Sequence, residues 1–197
     1  MDPWLAFLRA LWLFLPCYMA NMTPVAAARV FPRWDAPLDG GRTRKDGKRL
    51  LGPNKTWRGL ATGSLAGGVT AAVLAVLADG PWADLDFGRA RGVPLAAAFV
   101  FGAILGSFAL AGDAAKSWFK RRRGKAEGAS WFPFDQLDFV AGGLLGAFVG
   151  SPVVAGWSLQ EYFGDTWVLA VLVVMTPVLH LASSVLAYWT GLKKVPW

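Results

Sequence analysis

The sequence predicts an all-α integral membrane protein with five transmembrane helices, its N-terminus outside and its C-terminus in the cytoplasm. Three observations carry this expectation. Of 197 residues, 55% are hydrophobic and only 17% charged, with a mean hydropathy of +0.40. The apolar residues gather into five runs, each near the roughly 20 residues that a bilayer helix needs. Lysine and arginine crowd into alternate connections between those runs, the asymmetry that orients membrane proteins.

The first run, Pro3–Phe31, is long and contains Pro16, Asn21 and Pro24, so a kink or broken turn is expected within it. It opens Met1-Asp2-Pro3 with no basic n-region and exceeds the apolar core of a signal peptide, so it reads as a retained helix. Cys17, the single cysteine, lies inside it. One cysteine excludes an intrachain disulfide and a cysteine metal cage, and a packed thiol is the simplest role. The remaining runs are Gly59–Ala78, Val93–Gly112, Phe139–Gly156 and Trp167–Thr190. The third carries Gly102 and Gly106; the fourth carries Gly142, Gly146 and Gly150. Such rows let helix backbones approach closely, within the bundle first and between copies of a homodimer second. His180 follows Pro177 in the last run and reads as a packed or interhelically bonded residue. Trp4, Trp57, Trp82, Trp118, Trp157, Trp167 and Trp189 fall near the ends of runs, as in interfacial aromatic belts. With no internal repeat or low-complexity tract, residues 1–197 form one membrane domain.

The connections fix the orientation. The first, with its edges, holds Arg33, Arg42, Arg44, Lys45, Lys48, Arg49, Lys55 and Arg58. The third holds Lys116, Lys120, Arg121, Arg122, Arg123 and Lys125, and the tail adds Lys193 and Lys194. Only Arg9, Arg89 and Arg91 lie on the opposite side, with Arg29 near the first boundary. The basic side is therefore cytoplasmic. The net charge of +7 is accounted for by this placement, and no nucleic-acid partner is expected.

Three features exceed what a topology signal needs. The loop of about residues 32–57 mixes charge with turn residues, in Pro37-Leu38-Asp39-Gly40-Gly41 and in Leu51-Gly52-Pro53-Asn54-Lys55-Thr56-Trp57-Arg58-Gly59. Exposed N–H groups in such turns hold anions. The full P-loop spacing is absent, which leaves open a Lys55/Thr56/Arg58 phosphate clamp at a helix start. The third run continues Gly112-Asp113-Ala114-Ala115-Lys116-Ser117-Trp118-Phe119-Lys120-Arg121. On a continuing helix, Asp113, Lys116 and Lys120 share a face with Ser117 beside them; snorkelling lysines with one intrahelical ion pair are the plain alternative. The fourth run opens Pro133-Phe134-Asp135-Gln136-Leu137-Asp138-Phe139. Helix-start chemistry explains Asp135. It explains Asp138 poorly, because that carboxylate borders the apolar run and is costly there unless paired or metal-bound.

Asp113, Asp135 and Asp138 are oxygen ligands of the kind that suits Mg²⁺, which takes one or two carboxylates plus substrate phosphates. The neighbouring cations suit a polyphosphate leaving group. The loops of about residues 32–57 and 118–134 are thus expected to form one nucleotide and metal site for nucleotidyl or phosphoryl transfer at the membrane surface.

These residues carry a resemblance. Asn21-Met22-Thr23-Pro24, Asp39-Gly40-Gly41, the Leu51–Gly59 stretch, Gly112-Asp113-x-x-Lys116-Ser117-x-x-Lys120-Arg121-Arg122 and Pro133-x-Asp135-Gln136-x-Asp138 are similar, in order and spacing, to the membrane-embedded CTP-dependent cytidylyltransferases of the archaeal CDP-archaeol synthase branch. The bacterial and eukaryotic CDP-diacylglycerol synthases resemble the chain more distantly. Their His-Gly-Gly before Asp-Arg-x-Asp is replaced here by Pro133-Phe134 and by Gln136, which favours the archaeal branch.

The resemblance implies that CTP and an unsaturated isoprenoid diether glycerol phosphate, drawn from membrane lipid, give CDP-archaeol and pyrophosphate. It implies Asp113, Lys116, Lys120, Asp135 and Asp138 as catalytic residues, with Mg²⁺ on Asp113 and on Asp135 or Asp138. Lys55, Thr56, Arg58, Ser117 and Arg121 would meet phosphates. Asn21 and Thr23 would bind polar parts of a substrate, and Asp39 either ribose or metal. The rival readings are a CTP-dependent polyprenol kinase, a CDP-diacylglycerol synthase, a small transporter or channel, and a non-enzymatic membrane anchor.

Overall fold

The computed structural model describes residues 2–45, 47, 49–78, 80, 93–125, 131, 134–154 and 166–191. Trp82, Asp84, Asp86, Arg89, Arg91, Trp157, Gln160, Glu161 and Asp165, expected from the sequence on the outer side, lie outside them. So do Lys48, Pro133, Lys193, Lys194 and the side chains of Gln136 and His180.

Helix α1 spans Pro3–Val30, with the Asp2 carboxylate accepting from the Trp4 N–H at its start and Pro3 in the first turn. It stays helical through Pro16 and Pro24, as membrane helices can where neighbours compensate the lost backbone bonds. α2 spans Trp57–Ala78, capped by Thr56, whose Oγ1 accepts from the Gly59 N–H at 3.1 Å. α3 spans Leu95–Arg122. Gly124, at φ +69°, ends it in a Schellman pair of bonds, Lys125 N–H to Lys120 O and Gly124 N–H to Arg121 O. α4 spans Phe134–Gly150 and runs into a 3₁₀ turn at Ser151–Val153; α5 spans Thr166–Trp189. Among the described residues there is no strand, only isolated bridges pairing Pro37 with Thr56 and Thr43 with Arg49.

The structure differs from expectation in two places. Among the described residues four helices, α1, α2, α3 and α5, are long and apolar enough to cross a bilayer, whereas the fourth apolar stretch, Leu137–Val153, has the length of a shorter apolar helix. Residues 118–122, expected in a loop, are helical. No glycine or proline interrupts the chain between Asp113 and Arg123, and its alanines, lysines and arginines are good helix formers.

α3 is the central element, packed against α1, α2 and α4, while α5 lies on α1 and α4. The core joins Leu13, Phe14 and Cys17 of α1 to Phe101, Leu105 and Ala109 of α3, Phe139 and Val140 of α4, and Leu172 of α5. The rings of Phe14, Tyr18 and Phe139 meet at this centre, and the Tyr18 hydroxyl shares a 2.8 Å hydrogen bond with Thr176 of α5. Outward faces, such as Leu65, Val69, Val73 and Val76 of α2, are exposed and apolar, as lipid contact requires.

The glycine rows lie inside this chain. A Cβ on Gly67 would stand 2.5 Å from the Gly102 carbonyl oxygen, and one on Gly106 would strike Ala20 at 2.9 Å. Gly142 faces the Phe108 carbonyl, Gly146 the Phe108 side chain and Gly150 the Phe101 ring. These glycine faces pack within the bundle, against α1, α2 and α3.

Candidate active site

Helical periodicity places Asp113, Lys116 and Lys120 on one face of α3, as the spacing predicts. The α1–α2 loop and the first turns of α4 complete the cluster at the same end of the bundle. Lys116 Nζ lies 3.0 Å from Asp113 Oδ1, 2.8 Å from Asp138 Oδ2 and 3.4 Å from Asp135 Oδ1. Lys120 reaches Asp135 Oδ1 at 2.6 Å, and Lys55 Nζ bonds Asp113 Oδ2. The Asp138 side chain is only 7% exposed, so its charge depends on these partners.

Backbone packing sets this geometry. A Cβ on Gly112 would collide with the Asp138 carbonyl oxygen, so α3 and α4 cross with their backbones touching beside the acids. Asp135 also closes its own helix start: its Oδ2 accepts from the Trp131 N–H at 2.5 Å, and its N–H donates to the Trp131 carbonyl.

The α1–α2 loop is a folded strap. Leu38 N–H donates to Lys55 O and Trp57 N–H to Ala36 O. Asp39 organises its far part: one carboxylate oxygen accepts from the Gly41 N–H and from Arg49, the other from the Leu51 N–H. Burial alone would raise the pKa of this carboxyl, but the Leu51 N–H, Arg49 and the Gly41 N–H outweigh it and hold the pKa below the ordinary value. The strap docks on α3 through the Gly52 N–H, which donates to Ser117 Oγ at 3.1 Å in a buried contact, and through Lys55.

The structure thus brings together Lys55, Asp113, Lys116, Lys120, Asp135 and Asp138, with Ser117 holding the strap. The other candidates take capping, packing or helix-end positions. Thr56 is buried as the cap of α2. Arg58 is buried and donates to the Phe31 carbonyl at 2.8 Å, joining the end of α1 to the start of α2. Arg121 is buried in the last turn of α3. Thr23 donates to Met19 O in its own helix at 2.6 Å, and Asn21 lies one turn before Pro24, which packs against the Gly59 position at the start of α2. Both Asp39 oxygens serve the strap itself. Three residues of structural weight, Gly52, Arg49 and Gly112, were given no individual role by the sequence reading. Gly112 had a visible signal, since it continues the small-residue row of Gly102, Gly106 and Ala109.

Among the described residues, no three acid, histidine or cysteine side chains stand close enough to cage a metal unaided. A cation shared with phosphates needs only one or two carboxylates. Asp135 Oδ1 and Asp138 Oδ2 are buried and, although ion-paired, lack a well-aligned donor. They are hard oxygen donors with coordination capacity to spare, and the site fits Mg²⁺ in that mode.

A family model described as CarS-like CDP-archaeol synthase matches residues 4–197. A CDP-archaeol synthase of Halorubrum lacusprofundi is 41% identical over 189 residues, covering 95% of this chain and 96% of its own. That of Methanosarcina acetivorans is 37% identical over 190 residues, with 93% and 99% covered. That of Methanopyrus kandleri is 37% identical over 194 residues, with 98% and 95% covered. A solved structure described as an intramembrane enzyme for archaeal membrane lipid biosynthesis superposes with a TM-score of 0.64 at 31% identity, over 89% of this chain and 92% of that one. Matched along almost its whole length, the chain belongs to the CDP-archaeol synthase family.

Proposed function

We propose that this protein is a CTP-dependent cytidylyltransferase that converts an unsaturated archaeal diether glycerol phosphate to CDP-archaeol and pyrophosphate, in membrane phospholipid biosynthesis. The observation that carries this reading is the convergence of Lys55, Lys116 and Lys120 with Asp113, Asp135 and Asp138 at one end of the bundle, in a chain of this family. A lipid phosphate oxygen attacks the α-phosphorus of CTP. The new P–O bond forms as the bond to the β-phosphate oxygen breaks, and pyrophosphate leaves. The lipid phosphate needs no general base, since the second pKa of a phosphate monoester lies near about 6.

The chain's task is charge management. Lys55, Lys116 and Lys120 neutralise the triphosphate and the incoming lipid phosphate. Ser117 fixes the strap, and so the approach of Lys55. Asp113 with Asp135 or Asp138 would hold Mg²⁺, which when bound supplies Lewis-acid stabilisation of the leaving oxygen.

We place the site on the cytoplasmic side of a cell membrane, in a single five-span domain with the N-terminus outside. The distribution of lysine and arginine supports that orientation. The short fourth apolar stretch supports five spans, because Leu137–Val153, carried by α4 and the 3₁₀ turn after it, rises about 25 Å, close to the roughly 30 Å of a bilayer core.

The test is purified protein incubated with CTP, Mg²⁺ and either diether or diacyl phosphate, followed by mass spectrometry of the lipid. A CDP-linked diether formed with Mg²⁺ and not with EDTA is expected. Transfer of a single phosphate from CTP would replace this reading with a kinase.

A further inference from the structure

The six charged groups clustered beside the ends of α3 and α4 are three ammoniums and three carboxylates, linked in one chain from Lys55 through Asp113, Lys116 and Asp135 to Lys120, with Asp138 branching from Lys116. Lys116 differs from the others. Lys55 pairs with Asp113 and Lys120 with Asp135, whereas the Lys116 ammonium lies within 3.4 Å of all three acids. It is the one cation around which they converge.

We propose that Lys116 is a stand-in cation, holding Asp113, Asp135 and Asp138 together before substrate binds so that divalent metal and CTP enter as a pair rather than singly. This inference rests on the cytidylyltransferase reading. A divalent ion arriving alone must displace an ammonium that then has no partner, in a site where the Lys116 and Asp138 side chains are 14% and 7% exposed. A triphosphate arriving alone meets carboxylates, and its lysine partners are already engaged. When both arrive, the carboxylates turn to the metal and the ammoniums to the phosphates, and every buried charge keeps a counterion. Loss of one partner from such a buried set is what proteins tolerate least. The group that keeps the acids converged thereby becomes the first phosphate ligand, which makes Lys116 a positioning residue before binding and a contact afterwards.

Removing the stand-in should open the acids to metal. Mn²⁺ binding to the full-length protein in detergent, without nucleotide, is read from the free-ion paramagnetic resonance signal. Lys116→Met is expected to bind Mn²⁺ about tenfold or more tightly than the wild type, since a unit positive charge has left the metal position. Lys120→Met, which removes a cation paired with Asp135 but leaves Lys116 among the three acids, is expected to stay within about threefold of the wild type. Lys116→Gln, a polar neutral replacement, stands in if the methionine variant does not fold. In the wild type, retention of labelled CTP is expected to fall about tenfold or more when EDTA replaces Mg²⁺, an arm that needs no variant. Unchanged or weaker Mn²⁺ binding in the Lys116 variants, or equal CTP retention with and without metal, overturns the inference. The lipid-product assay decides the cytidylyltransferase reading separately, so a protein that makes CDP-lipid yet gives either of those results fails here alone.

Discussion

Replacing Gly112 by alanine tests whether the crossing of α3 and α4 sets the catalytic geometry. The added Cβ would strike the Asp138 carbonyl oxygen and stand 3.2 Å from both the Asp138 carbonyl carbon and the Gly142 Cα. All three are backbone atoms, so no side chain can rotate away and the helices must part. A displacement of about 1 Å between Asp113 and Asp138 is enough to cost about 100-fold in rate when reacting groups are misplaced. That corresponds to roughly 2.7 kcal/mol of lost transition-state stabilisation. The overpacking itself should cost about 1–3 kcal/mol of stability, so kcat and thermal unfolding are measured together. Gly67→Ala is the control, because its Cβ would meet the Gly102 carbonyl oxygen at 2.5 Å, a similar overlap about three turns along α3 from Asp113. The expected result is comparable destabilisation of the two variants and a large kcat loss in Gly112→Ala alone. A destabilised Gly112→Ala protein with nearly normal kcat, or an equal kcat loss in Gly67→Ala, would refute the argument.

Ser117→Ala leaves the buried Gly52 N–H without its acceptor, a cost of about 1–3 kcal/mol. The strap should loosen and KM for CTP should rise, so an unchanged KM in steady-state assays counts against the docking role. Asp39 has a depressed folded pKa, so its contribution to strap stability is present above the unfolded value of about 3.9 and is lost as pH falls through the folded value. Hydrogen exchange should show wild-type strap protection declining below about pH 4 and Asp39→Asn already weakly protected at neutral pH; a protected Asn variant would contradict this. Cys17 is fully buried and should resist maleimide until the protein unfolds, with rapid labelling of native protein as the opposing outcome.

Local rules made part of this site visible. Hydropathy located the helices, and the i, i+3 and i+7 spacing placed Asp113, Lys116 and Lys120 on one face. What spacing along one helix cannot supply is the partner across the interface. The convergence of Asp138 and Asp135 on Lys116 depends on how closely α3 and α4 approach, and that is set by Gly112 and Gly142, which carry no charge to attract notice. Asp39 shows the opposite problem. Asp-Gly-Gly is ordinary turn chemistry, and its three donors are spoken for locally, yet a carboxylate in a basic loop invites assignment as a ligand. Thr56 is similar, since a threonine just before a helix is first of all a cap. Arg58 and the Gly52–Ser117 contact were hidden for a further reason: their partners lie 27 and 65 residues away.

The 2.8 Å bond between Tyr18 and Thr176 joins positions 158 residues apart. Arg29 reinforces that link by donating to the Gly191 carbonyl at 2.6 Å. During synthesis, α1 is therefore the first helix made, and the last of its neighbours to arrive is α5. Until α5 leaves the ribosome, the Tyr18 hydroxyl has no native partner and part of the α1 surface faces lipid or the insertion machinery. Closure of the bundle becomes a late event in biogenesis, and a nascent chain stopped before Thr166 would carry most of the charged site without the helix that seals its first span.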